Sequence, residues 1–180
     1  MSVERTRRPL LLVASVTVGL VLVAGAFDPS PHTGGDNAGY VSLAHGLLTT
    51  GSYVETFDPA QAPHTKYPPV FPLALAALMA LGARTWVVLK LVAAVSTLAV
   101  VGLTYLWAER RVGALPAFLL AVLIAASTGF VYYSHWVLSD ALFVALAMAA
   151  LWALERGEPV AEAPPRGASA REAAAREVPA

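Results

Sequence analysis

Cysteine is absent from the 180 residues, which excludes disulfide scaffolds, thiolate metal sites and cysteine nucleophiles together. Charge is scarce: Asp, Glu, Lys and Arg make up 13% of the chain, where soluble domains carry about 25%. Acidic and basic residues balance at a formal net charge of zero, so there is no electrostatic footprint for nucleic acid and no nucleic-acid partner is expected. No Gly-rich nucleotide loop, zinc-ligand spacing or serine-triad motif occurs. What the chain holds in quantity is hydrophobic side chains, 57% of all residues. That is the composition of a membrane protein.

A membrane-crossing helix needs about 20 mostly apolar residues. PLLLVASVTVGLVLVAGAF at positions 9–27 and WVVLKLVAAVSTLAVVGLTYLW at 86–107 meet that length. The second has a tryptophan at each end, where interfacial aromatics belong, and one cation, Lys90, expected to snorkel. A third span is expected over 115–133 and a fourth over about 141–154. PVFPLALAALMALGA at 69–83 is shorter and begins with prolines; it is expected to lie in the interface, with a crossing as the alternative.

Arginines orient the whole. Arg5, Arg7 and Arg8 precede the first span and belong on the cytoplasmic side. If 69–83 does not cross, Glu109, Arg110, Arg111 and Arg156 fall on that side too. The expected fold is therefore all-α and polytopic, with about four transmembrane helices. A cytoplasmic N-terminus (1–8) leads into a transmembrane module (9–155) with an extracytoplasmic loop (28–85), and 156–180 forms a disordered tail or a truncation artefact. The tail is rich in alanine, proline and alternating charge and has no apolar face. Ala24-Gly25-Ala26 also fits a signal-peptide cleavage site, although the apolar run exceeds the usual h-region of about 7–15 residues.

The outer loop opens with GGDNAGYVSLAHGLLTTG, positions 34–51. Asp36 is a favoured N-cap type, and Tyr40, Leu43, Ala44, Leu47 and Leu48 recur at helical spacing until Gly51. Such an amphipathic helix lies on the membrane surface. Then comes His64-Thr65-Lys66-Tyr67-Pro68-Pro69, a polar cluster closed by prolines. The second outer tip, Tyr132-Tyr133-Ser134-His135-Trp136, leads to Asp140 at the head of another apolar helix. The outer face thus concentrates Asp36, His64, Lys66, His135 and Asp140.

In this order, GGDNAGYVSLAHGLLTTGSY, KYPPVFPLALA and YYSHWVLSDALF, the segments resemble the N-terminal part of GT-C type glycosyltransferases. The likeness is to the protein O-mannosyltransferase and aminoarabinose-transferase type (family 39-like), and it covers about 9–155. The resemblance implies a polyprenyl-phosphate sugar donor, Asp36 as catalytic base, Asp140 in support and Lys66 as a contact to the donor phosphate. Hexosyl or pentosyl transfer from such a donor needs a base for the acceptor hydroxyl and cations or donors for the departing phosphate; His64 is a second candidate for the latter. Tyr40 and Tyr67 are read as further substrate contacts. Asn37 stands where several relatives carry a second acidic residue, and a glutamate often seen beside the lysine is missing, so no cofactor is assigned and a divalent metal stays open.

Plainer readings accompany each residue. Asp36 and Asp140 suit simple helix caps, Lys66 an interfacial anchor, and His32, His45 and His135 surface or cap positions. The tyrosines and Trp136 suit an aromatic belt. Members of the resembled family typically have more spans and often an outer domain. The expectation is therefore an N-terminal module in a bacterial inner or plasma membrane, multi-pass, possessing the bilayer and the lipid-linked donor as partners. A partner chain would supply missing helices, and a truncated chain would be inactive. The alternative is a non-catalytic membrane protein that binds polyprenyl-linked lipid or helps assemble a larger complex.

Overall fold

The computed structural model describes residues 2–32 and 35–156. The tail expected at 156–180 lies outside the described residues, apart from Arg156. The described chain is helical: α1 (Ser2–Ala26), α2 (Asp36–Thr50), α3 (Val70–Ala80), α4 (Trp86–Val112), α5 (Ala114–Ala125), α6 (Thr128–Tyr133) and α7 (Asp140–Glu155). A single isolated antiparallel bridge, Val54 to Pro63, pins the loop between α2 and α3.

Two helices are long and apolar enough by themselves to cross a membrane, Arg7–Ala26 within α1 and Trp86–Val112. The span expected at 115–133 is divided. α5 holds 12 residues, about 18 Å at 1.5 Å per residue, against a hydrocarbon core of about 30 Å. The break falls where Ser127 turns extended ahead of α6, in an Ala-Ser-Thr-Gly run whose hydroxyls and glycine are poor helix formers. At 16 residues, α7 reaches about 24 Å. Of the four expected spans, two are helices of full spanning length and the other two are the shorter α5 and α7.

These helices share two ends. At one, the Tyr105 hydroxyl donates to the Arg8 carbonyl at 2.9 Å and Arg8 pairs with Glu109 at 3.0 Å. Arg111 pairs with Glu155, and Arg110 donates to the Glu155 carbonyl at 3.1 Å. The start of α1 and the ends of α4 and α7 thus meet. At the other end, Lys90 at the start of α4 donates to the carbonyls of Asp28 (2.6 Å) and Ser30 (2.5 Å) just beyond α1. Lys90 is fully buried, so the expected snorkelling gives way to backbone carbonyls that satisfy its ammonium inside the fold.

Between these ends, Val101, Tyr105 and Ala108 of α4 pack on Ala117, Ala121 and Ala125 of α5. The alanines recur every four residues on one face, and small side chains let the two backbones approach. Leu119, Leu123, Phe143 and Leu154 point outward and exposed, as lipid-facing side chains would. α2 and α3 form a second core near the Lys90 end, where Tyr40 and Ala44 meet Phe71, Leu75, Met79 and Val137. The expected stripe of α2 is buried only in part: Tyr40, Leu43 and Ala44 are covered and Leu47 is half-covered, but Leu48 is exposed. Asn37, Ser42 and Gly46 share the covered face. That face serves the loop as well as a core: Ser42 Oγ accepts the Thr56 N–H at 2.7 Å, and a side chain at Gly46 would lie 2.5 Å from the Val54 carbonyl oxygen.

Candidate functional site

Asp36 and Asp140 each occupy the first position of a helix, preceded by Gly35 and Ser139, and among the described residues neither helix start has a side-chain cap hydrogen bond. The capping expected of them does not occur. Both carboxylates remain favourably placed at helix N-termini, where the dipole welcomes negative charge, and their side chains are left to other partners. Two hydrogen bonds bring the helix starts together. Asn37 Oδ1 accepts the Val137 N–H at 2.8 Å, and the hydroxyls of Tyr40 and Ser139 share a bond of 2.8 Å. In consequence Asp36 and Asp140 line one cavity of about 440 Å³, walled by Thr97 of α4, Phe130 and Tyr133 of α6 and Val144 of α7.

The loop before α3 delivers the cation. The Tyr67 hydroxyl donates to Asp36 Oδ1 and accepts from Lys66 Nζ at 2.9 Å; the same ammonium lies 3.5 Å from Asp36 Oδ1. The three groups close a triangle. The Tyr67 hydroxyl holds the Asp36 carboxyl below its usual range against the opposing effect of burial, and Lys66 lowers it further. Lys66 is held above its usual value by the Tyr67 hydroxyl and by the Asp36 charge. Tyr67 itself is pushed up, mainly because its proton is held by Asp36. Burial raises Tyr40, with Asp140 and Asp36 adding to it.

Behind the triangle the loop is tied to itself. His64 Nδ1 lies 3.1 Å from Glu55 Oε1, and His64 Nε2 accepts the Tyr67 N–H at 3.0 Å. Both ring nitrogens of His64 are thus engaged within the loop, which makes it a brace for Tyr67 instead of an open phosphate contact. The Tyr53 hydroxyl donates to the Tyr67 carbonyl at 2.9 Å. The Tyr67 ring packs on His64 at 4.8 Å and on Tyr40 at 4.6 Å between centroids.

Asp36 also borders a more open cleft of about 650 Å³, with His32, Pro31, Asn37 and Trp136 around it. His32 stacks on Trp136 with centroids 4.4 Å apart. His135, expected at the surface, is buried beside Phe27 and His32. Asp140 borders an apolar groove of about 270 Å³ between α3 and α7, lined by Val70, Phe71, Phe143 and Leu146. A further cleft of about 590 Å³ between α2, α3 and α4, around His45, Met79, Arg84 and Trp86, carries no carboxylate. Among the described residues no group of three or more His, Asp or Glu side chains is placed to hold a metal.

Of the residues expected at the site, the structure joins Asp36, Lys66, Tyr67, Tyr40 and Asp140, and sets His64 one layer behind. Sequence reasoning missed Asn37, Ser139, Glu55 and Tyr53 as the groups that hold them. Asn37 was signalled only by its place next to Asp36, and Glu55 carried no signal because its partner His64 arrives through a loop closure.

The family profile described as dolichyl-phosphate-mannose-protein mannosyltransferase matches residues 66–160, more than half of the chain. The match begins at Lys66 and includes Asp140. No curated protein and no solved structure matches the chain.

Proposed function

The chain belongs to the dolichyl-phosphate-mannose-protein mannosyltransferase family, a family of membrane glycosyltransferases of GT-C type, and from that premise we propose that it transfers a sugar from a polyprenyl-phosphate donor to a hydroxyl acceptor. The site faces the extracytoplasmic side, opposite the Arg8, Arg110 and Arg111 end, as the positive-inside rule would have it. The observation that supports this most is that Asp36 and Asp140, from separate parts of the chain, line one cavity, with Lys66 3.5 Å from Asp36.

In this reading Asp36 accepts the proton of the acceptor hydroxyl as its oxygen forms a bond to the anomeric carbon. The bond from that carbon to the phosphate oxygen breaks, and its electron pair leaves with the polyprenyl phosphate. Lys66 offsets the charge gathering on that phosphate. The groove between α3 and α7, apolar and ending at Asp140, suits the first units of the lipid tail. Ser139, Tyr40 and Asn37 position the two carboxylates, and the chain is a multi-pass protein of the plasma membrane.

The test is transfer of labelled sugar from a polyprenyl-phosphate donor in membranes containing the wild-type chain or Asp36→Asn. Loss of a general base lowers the rate by about 10²–10⁴-fold. Unchanged transfer in Asp36→Asn would overturn the assignment, and donor binding without any transfer by the wild type would favour the non-catalytic lipid-binding alternative.

A further inference from the structure

The Tyr67 hydroxyl takes one of the positions from which an acceptor hydroxyl could reach Asp36, at Oδ1. It donates its proton to Asp36 Oδ1, so a lone pair of the carboxylate is already occupied. Its own oxygen accepts from Lys66 Nζ at 2.9 Å. A hydroxyl that accepts from a cation becomes a stronger donor, so Lys66 tightens the hold of Tyr67 on Asp36.

The three side chains of the triangle are held unequally. Tyr67 is fixed at its N–H by His64, at its carbonyl by Tyr53 and at its ring by Tyr40 and His64. The side chains of Lys66 and Asp36, by contrast, are 69% and 51% exposed. Release of Asp36 therefore needs no loop movement. It needs the Lys66 side chain to swing and the exposed Asp36 carboxylate to turn away from the fixed phenol. A phosphate oxygen can compete for that ammonium, because Lys66 now donates only to a neutral hydroxyl at 2.9 Å and lies 3.5 Å from the carboxylate, whereas a phosphate offers a direct charge-assisted bond.

We propose that Tyr67 masks Asp36, and that an anionic lipid phosphate drawing Lys66 away opens the carboxylate to the acceptor, so that donor binding precedes proton transfer. Tyr67 is then a positioning residue acting through Asp36. The inference rests on the reading of Asp36 as base and Lys66 as phosphate contact, and adds an order to the two substrates.

The support from electrostatics is that Tyr67 contributes most to holding Asp36 below its usual range. Lys66 and Tyr67 face Asp36 from the loop, Tyr40 from its own helix and Asp140 from α7 across the shared cavity, and His32 borders the adjoining cleft. Unmasking should leave a mark that can be read without turnover. The full chain, labelled with ¹³C at its aspartate carboxyl carbons and held in detergent micelles, gives a carboxyl titration for Asp36, assigned by its absence in Asp36→Asn.

In the wild type the Asp36 midpoint should lie below the usual carboxylate range and shift upward on adding polyprenyl phosphate without sugar. Tyr67→Phe keeps the ring contacts and removes only the hydroxyl; its midpoint should start higher and shift less on adding the lipid. A wild-type midpoint that ignores the lipid would overturn the proposal. So would a shift of equal size in Tyr67→Phe, which would assign the change to the phosphate charge alone. Failure of the base reading is separate: transfer undiminished in Asp36→Asn would remove Asp36 from the reaction and leave these midpoints untouched.

Discussion

Asn37 Oδ1 accepts the backbone N–H of Val137 at 2.8 Å, and this bond ties the start of α2 to the segment that leads into α7. Asn37 is 2% exposed, so the N–H has no water to fall back on. The amide, one residue after Asp36, sets one carboxylate against the other across the shared cavity.

Asn37→Ala should therefore cost more than the bond itself. It leaves the Val137 N–H buried and unpaired, a loss of about 1–3 kcal/mol. Sugar transfer should fall further than the loss of stability explains, because Asp140 is freed from its register with Asp36. Thermal unfolding in micelles and transfer at a temperature where both proteins stay folded separate the two effects; a variant as stable and active as wild type would contradict this role.

Local chemistry pointed to several of the residues that the structure brings together. Asp36 and Asp140 each head an apolar helix, and the proline pair after Lys66-Tyr67 stops regular structure there, so two helix-heading carboxylates and one loop-borne cation could be read from local chemistry. What tied them together could not. The bond from Asn37 to Val137 joins residues far apart in sequence, and the closure of His64 on Glu55 depends on a turn that no periodicity encodes. Helix type was readable while length was not: apolar composition alone carried 115–133 as one span, and the weak local propensity of Ser127 to Gly129 divided it. A lone cation in an apolar span reads as a snorkelling lysine, but the acceptors of Lys90 are the carbonyls of Asp28 and Ser30, which its place in the sequence does not reveal.

Lys90→Met follows from that geometry. The substitution keeps an unbranched apolar stem and removes the ammonium, leaving two carbonyls to find water. The loss should be about 1.5–3 kcal/mol for each charged hydrogen bond given up, offset in part because methionine avoids the cost of taking an ammonium out of water. Limited proteolysis should cut faster at 28–32, while cutting within α4 stays slow. Equal rates at both places would show that Lys90 does not hold the loop.

The triangle of Asp36, Tyr67 and Lys66 fixes a pH window. Asp36 is held below its ordinary value of 3.8, so its contribution to stability is present above that value and is lost as pH falls through the lower, folded one. Lys66 is held above its ordinary value of 10.5, so its contribution is complete below that value and is lost as pH rises through the higher, folded one. Between these limits neither group changes charge. Both side chains are well exposed, so the effect is small and shrinks with salt. Unfolding midpoints of wild type and Asp36→Asn should differ by a constant amount across neutral pH and converge under strong acid; a difference that grows on acidification would contradict the sign.

Two glycines of different surroundings should respond oppositely. A methyl group at Gly46 would sit 2.5 Å from the Val54 carbonyl oxygen, so Gly46→Ala must push the loop off α2, at about 1–3 kcal/mol. Gly25 lies in α1 with nothing within 4 Å of the same added atom, so Gly25→Ala should be neutral or stabilise by up to about 1 kcal/mol. Because the loop displaced by Gly46→Ala carries Tyr53 and Glu55, that variant should also lose transfer, and Gly25→Ala should not. Thermal midpoints and transfer rates of the two variants decide it.

The proposal stands or falls on which face of the membrane each end of the bundle meets, and the absence of native cysteine makes that directly measurable. Cysteines placed singly at Ala38, beside Asp36, and at Ala141, beside Asp140 in the wall of the shared cavity, should both react with a thiol reagent that cannot enter cells. Val112 is 55% exposed at the opposite, arginine-bearing end; a cysteine there should react only after the membrane is opened. The three results are linked by the fold, because the contacts from Asn37 to Val137 and from Arg8 to Glu109 fix which ends travel together. Labelling of Ala38→Cys and Ala141→Cys from opposite faces would break the site apart. Labelling of both only from the inside would keep the site and reverse its orientation, placing donor and acceptor in the cytoplasm.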